Sequence, residues 1–139
     1  MQDTMTLDDI RDAFRFFDSW EDKYRFVIDL GKSLSPLPDA ERVDANLVRG
    51  CQSQVWLVTR HDPETGELDI GLDSDAHIVR GLGAIVLAAY GGRTPRDILA
   101  FDIDGLFTEL DLLSHLSPTR GNGLRAMVAR IRDAARACG

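Results

Sequence analysis

Apolar residues recur at helical spacing through the first part of the chain. Leu7, Ile10, Phe14 and Phe17 fall on one helical face, behind a Thr6–Asp9 pair with capping-box spacing. Ser19 and Asp22 repeat that start signal, and Trp20, Tyr24, Val27 and Ile28 supply a second stripe. Gly31 is expected to end this helix, and Pro36 and Pro38 mark an irregular connection. The period then shortens to two. Leu47-Val48 suggests a brief strand, and Val55 to Thr59 is rich in β-formers. Asp62-Pro63-Glu64-Thr65-Gly66 carries turn chemistry, after which Leu68, Ile70 and Leu72 alternate. The pattern predicts a hairpin.

Helical spacing returns afterwards. Ser74 or Asp75 is placed to cap a third helix whose Ile78, Leu82, Ile85 and Leu87 to Ala89 make it apolar on most sides. Such a helix belongs at the centre of the core, and Gly81 and Gly83 within it permit close packing. Gly91-Gly92 stops it. Thr94-Pro95 with Asp97 starts a fourth helix, and Asp104 to Ser114 reads as a short fifth. Ser117-Pro118 opens a last helix with the stripe Leu124, Met127, Val128, Ile131 and Ala135, its arginines on the other face. The fold class is α+β, a small antiparallel sheet flanked by helices, with residues 1–139 read as one domain.

Composition narrows the function classes. With 139 residues, 44% of them hydrophobic, the chain can bury a core. A net charge of −7 and a pI near 4.8 argue against nucleic acid and anionic membrane as partners. No apolar stretch is long enough to span a bilayer, and the first residues lack the basic and apolar regions of a secretory signal. Two cysteines, Cys51 and Cys138, make no disulfide framework, so a cytoplasmic setting with reduced thiols is expected.

Cys51 is the residue with the most chemistry. Gly50 precedes it, Gln52-Ser53-Gln54 follows it, and the hydrophobic run starts only at Val55. That context is a Gly-hinged loop rather than an apolar face, although position alone leaves open both an inert structural thiol and a reactive one. A dithiol pair and the standard phosphate loops are missing from the sequence, and His61, His77 and His115 have no paired ligand spacing. Arg120, in the first turn of the last helix, opposes the helix dipole. It is either a solvated surface arginine or a guanidinium aimed at an anion or thiolate.

The run Asn46-x-Val48-x-Gly50-Cys51-Gln52-Ser53-Gln54-Val55-Trp56 resembles the signature of the SufE family of sulfur-acceptor proteins. The similarity continues at Asp73-Ser74-Asp75-x-x-Ile78-Val79-x-Gly81-Leu82, at Thr94-Pro95-x-Asp97-Ile98, and at His115-Leu116-Ser117-Pro118-x-Arg120-x-x-Gly123-Leu124. The resemblance implies a single domain similar in fold to IscU-type cluster scaffolds. It implies an accessory protein, not an independent enzyme. Cys51 would take sulfur as a persulfide from a PLP-dependent cysteine desulfurase of the SufS or CsdA kind, stimulate that enzyme, and pass the sulfur to an iron–sulfur scaffold complex. No cofactor or metal of its own is implied, since the PLP belongs to the desulfurase. Asp75, Arg120, His115 and the hinge Gly50 fall on the matching segments as supporting residues. Arg49 stands where relatives often carry an uncharged polar residue, and Cys138 matches no family motif. The competing reading is an independent thiol enzyme of peroxidase or hydrolase type, which ordinarily needs a resolving cysteine or a nearby histidine base. A metal-cluster scaffold would lack a full thiolate set.

Overall fold

The computed structural model of the chain describes residues 6–34, 36–48 and 54–138. Helix α1 (Leu7–Phe16) starts at the expected capping box: Thr6 accepts from the Asp9 amide, and the Asp9 carboxylate accepts from the Thr6 amide. Ile10 and Phe14 enter the core, whereas Phe16 is 79% exposed. Helix α2 (Trp20–Ser33) is capped by Ser19, as its sequence indicated. It does not stop at Gly31. That glycine is buried inside the helix, where α2 crosses the third helix, α3 (His77–Tyr90). A Cβ on Gly31 would lie 2.7 Å from the Gly81 nitrogen, and one on Gly81 would lie 1.9 Å from the Val27 carbonyl oxygen. Close backbone approach, not helix termination, is therefore what Gly31 supplies.

Strands β1 (Val55–His61) and β2 (Leu68–Ser74) form the antiparallel hairpin, in register from Val55↔Ser74 to His61↔Leu68. Its turn closes through Asp62 and Glu67, with Gly66 at a positive φ of 77°. The expected strand at Leu47-Val48 is a single bridge, Leu47 to Trp56. Val55, Leu57, Leu68 and Leu72 face the core, and Leu72 fills the space that a side chain at Gly83 would need. Helix α3 is the centre of the molecule, packed by α1, α2, β2 and the last helix. Its N-cap is Ala76, which has no side chain to bond; Ser74 Oγ reaches only the Ala76 amide, at 3.2 Å, and Asp75 is turned to Gln54.

Helix α4 (Pro95–Ala100) is capped by Thr94 as expected. Helix α5 is shorter than predicted, Ile103–Leu110, capped by Asp102 and ended by Asp111 in the left-handed conformation. Aspartate tolerates that geometry better than most residues. A 3-10 turn, Leu113–His115, leads to α6 (Pro118–Cys138), whose Leu124, Met127, Val128, Ile131 and Ala135 are buried. The result is an α+β fold with six helices and a two-stranded antiparallel sheet among the described residues.

Candidate functional site: two anchors around the Cys51 segment

Cys51 and Gly50 lie outside the described residues, in the stretch 49–53. The residues that flank that stretch, Val48 and Gln54, are described, and each is tied down. On the C-terminal side, the hairpin register extends one step past Val55↔Ser74 and sets Gln54 opposite Asp75. The Gln54 amide donates to Asp75 Oδ1 at 3.1 Å. Its carbonyl accepts from the Ser74 hydroxyl at 2.7 Å and from the Asp75 amide at 3.3 Å. Both backbone groups of Gln54 are thereby used, and this is why Ser74 and Asp75 do not cap α3.

Beneath this anchor sits a buried charge pair. Asp73 is 2% exposed, and its carboxylate is paired with the Arg80 guanidinium from α3. The same carboxylate accepts from the Ser74 amide at 2.8 Å and the Leu37 amide at 3.0 Å. Arg80 spends its other donors on the carbonyls of Gly31 at 3.1 Å and Leu34 at 2.6 Å. One ion pair thus joins the end of α2, the connection at Leu37, the end of β2 and α3. A buried pair needs such added hydrogen bonds to offset its desolvation.

On the N-terminal side, the Val48 amide donates to the Val55 carbonyl at 2.8 Å. Leu47, just before Val48, and the turn that leads into it are gripped from α6. Arg130 donates to the Leu47 carbonyl at 3.0 Å and to the Ala45 carbonyl at 3.2 Å. Behind it lies a cavity of about 370 Å³ lined by Glu41, Asn46, Thr59 and Arg130 among others. Among the described residues no group of three or more His, Cys, Asp or Glu side chains is placed to hold a metal. None of the described helices is long and apolar enough to cross a membrane.

Residues 8–135 match the family model of SufE, the Fe-S metabolism associated domain. The chain belongs to the SufE family. It is 52% identical over 133 residues to an uncharacterized SufE-like protein of Rhizobium etli, covering 94% of this chain and 90% of that one. It is 49% identical over 132 residues to an uncharacterized SufE-like protein of Rhizobium meliloti, with 94% of both covered. The solution structure of a hypothetical protein from Thermus thermophilus is similar in fold, with a TM-score of 0.75 at 18% identity, covering 96% of this chain and 98% of that chain. Family membership carries a role in iron–sulfur metabolism.

In this SufE-family chain the candidate supporting residues are not all in one place. Asp75 holds the end of the Cys51 segment through Gln54. Arg120 is exposed in the first turn of α6, where its amide donates to the Ser117 hydroxyl, and its guanidinium pairs with no described residue. His115 braces α2: its ring stacks on Trp20, with centroids 3.9 Å apart and planes at 15°. The Tyr24 hydroxyl donates to the His115 carbonyl, and the ring Nδ1 lies 3.1 Å from the Asp111 carbonyl. Cys138 is exposed at the end of α6. Sequence reasoning missed Ser74, Asp73, Arg80 and Arg130. The only available sign for the first two was their position in the Asp73-Ser74-Asp75 run, and helix capping explained that run just as well.

Proposed function

We propose that this SufE-family protein takes sulfur onto Cys51 from a PLP-dependent cysteine desulfurase and hands it on for iron–sulfur cluster assembly. The observation that carries the reading is the pair of anchors: Val48 and Gln54 are both held, and Cys51 is the middle residue of the five between them. A thiol carried there is presented between two fixed points of the fold. The transfer is thiol–persulfide exchange. The Cys51 thiolate attacks the outer sulfur of the desulfurase persulfide and forms a new S–S bond. The bond to the desulfurase sulfur breaks, and that sulfur leaves as a thiolate. The transferred atom stays sulfane sulfur, so no external oxidant or reductant is required. Attack by a second acceptor thiolate then releases it from Cys51.

Asp75 serves this chemistry by holding Gln54. Arg120 offers an exposed guanidinium to the partner or to the thiolate, whose charged form a nearby cation favours. His115 acts through the bracing of α2 and not as a base. The protein is an accessory to the desulfurase, and the expected partners are that enzyme and a downstream scaffold complex. The test is peptide mass mapping after incubation with cysteine and a cysteine desulfurase from the same organism. Extra sulfur mass is expected on Cys51, and Cys51→Ser should lose both the adduct and the stimulation of sulfide release. Adducts on Cys138 alone, or full stimulation by the serine variant, would overturn the reading.

A further inference from the structure

We propose that Arg130 is a positioning residue for Cys51, a clamp that fixes the stem leading toward it up to Val48; this rests on the function proposed above. Between Leu34 and Val48 the described chain has only two 3-10 turns, Asp39–Glu41 and Asp44–Asn46, and neither has a side-chain cap. Such turns hold poorly by themselves. Within the connection, Asn46 donates from Nδ2 to the Glu41 carbonyl at 2.8 Å. Its hydrogen bonds to side chains elsewhere in the fold come at two ends: the Leu37 amide on Asp73, and the Ala45 and Leu47 carbonyls on Arg130.

The geometry at Arg130 is specific to its side chain. The carbonyls of the last turn before a segment leaves a helix have no internal partner. One planar guanidinium meets two of them, two residues apart, from two different nitrogens. A lysine ammonium has no fixed fork with which to span both. No described carboxylate pairs with Arg130, so its donors go to the stem. Its mount is firm, because Met127, Val128 and Ile131 on the same helix are buried. The clamped Leu47 bridges Trp56, and Val48 next to it bonds Val55. With Arg130 in place, the stem is fixed up to Val48. Without it, the stem loosens back toward Val43, and the thiol three residues beyond Val48 is presented less reproducibly.

The test uses the full chain with Arg130→Gln and Arg130→Lys, read by amide hydrogen exchange. The Val48 amide should exchange about tenfold faster in Arg130→Gln, as expected when a charge-assisted hydrogen bond to the stem is lost. The Gln54 amide on the other anchor should stay at its wild-type rate, and Arg130→Lys should lie between. In desulfurase stimulation, the concentration for half-maximal effect should rise while the maximal rate holds, because Cys51 itself is intact. Unchanged exchange at Val48 overturns the clamp, as does equal acceleration at Val48 and Gln54, which is general loosening. Faster exchange at Val48 with unaltered stimulation overturns the positioning role. A wild-type protein that accepts no sulfur defeats the function reading instead, and the exchange rates still decide the clamp.

Discussion

Asp73→Asn should be strongly destabilising although it changes the side chain's shape very little. The native carboxylate accepts from the Arg80 guanidinium, from the Ser74 amide at 2.8 Å and from the Leu37 amide at 3.0 Å. The first two use Oδ1 and the third uses Oδ2. Asparagine has one acceptor oxygen. If that oxygen keeps Ser74 and Arg80, the new NH2 group faces the Leu37 amide, donor against donor. The reverse rotamer sets it against Arg80. Either way the Arg80 charge loses its counter-charge and is left with neutral oxygens, the Gly31 and Leu34 carbonyls among them, in a site where Asp73 is 2% and Arg80 16% exposed. Removing one partner of a buried ion pair costs about 3–5 kcal/mol. The two remaining carbonyls favour the lower figure, about 3 kcal/mol. At about 3 °C per kcal/mol for a chain of this size, Tm should fall by about 10 °C. The assay is thermal and urea unfolding of the wild type, Asp73→Asn, Arg80→Met and the double variant. The double variant should lose less than the two singles together, with a coupling of about 2 kcal/mol. A Tm change below about 3 °C, or a coupling near zero, would refute the account of Asp73 and Arg80 as one interdependent pair.

Gly81→Ala should cost more than about 3 kcal/mol, since its Cβ would lie 1.9 Å from the Val27 carbonyl oxygen and two helix backbones would have to separate. Gly121→Ala, whose Cβ meets only Leu113 Cδ2 at 3.7 Å, is the control and should stay within about 1 kcal/mol of wild type by urea unfolding. Tyr90 is fully buried, and its hydroxyl has no well-formed hydrogen bond among the described residues. Burial pushes its pKa up, against a partial opposing pull from Arg132, so the folded state holds the proton longer than the unfolded state. Stability therefore falls as pH rises past the unfolded tyrosine value near 10. In melting curves across pH, Tyr90→Phe should remove that alkaline loss and keep or raise stability at neutral pH by up to about 1 kcal/mol. Asp75→Ala removes an exposed contact, so Tm should barely change, while the Gln54 amide should exchange several-fold faster; an unaltered rate would show that the carboxylate holds nothing.

What was legible in the sequence is what is decided within a few residues. The capping pairs Thr6–Asp9 and Thr94–Asp97 form because each donor and acceptor lie three residues apart on the same turn. The hairpin follows from a turn with suitable residues between two alternating runs. Gly31 was misread because a stop signal and a helix crossing use the same residue, and only the position of Gly81 in space distinguishes them. Ser74 and Asp75 were misread for a related reason. Small oxygen-bearing side chains before a helix satisfy whichever backbone groups lie closest, and here the carbonyl and the amide of Gln54 come within reach of Ser74 and Asp75 once the strands pair. Local chemistry identified the right residues and the wrong partners.

The two arginines of α6 show where sequence reasoning runs out. Arg120 drew attention because its conflict with the helix dipole can be seen along one dimension, and its position matches a family motif. Arg130 drew none, since a periodic pattern says only that it lies off the core stripe. Ten residues of helix separate them by about 15 Å, so one side chain cannot stand in for the other. The packing of α6 against β1 and the turn at Asp44–Asn46 brings Arg130 to two orphan carbonyls, and that packing depends on Leu124, Met127, Val128 and Ile131 all being satisfied at once. The described residues on either side of Cys51 are thus held by residues whose roles exist only after the chain has folded: Gln54 by Ser74 and Asp75 through strand register, Ala45 and Leu47 by Arg130 through helix placement. Cys51 stands out in the sequence because the chemistry of a thiol is its own. The contacts on either side of it do not, because each of them is made to a backbone group belonging to another residue.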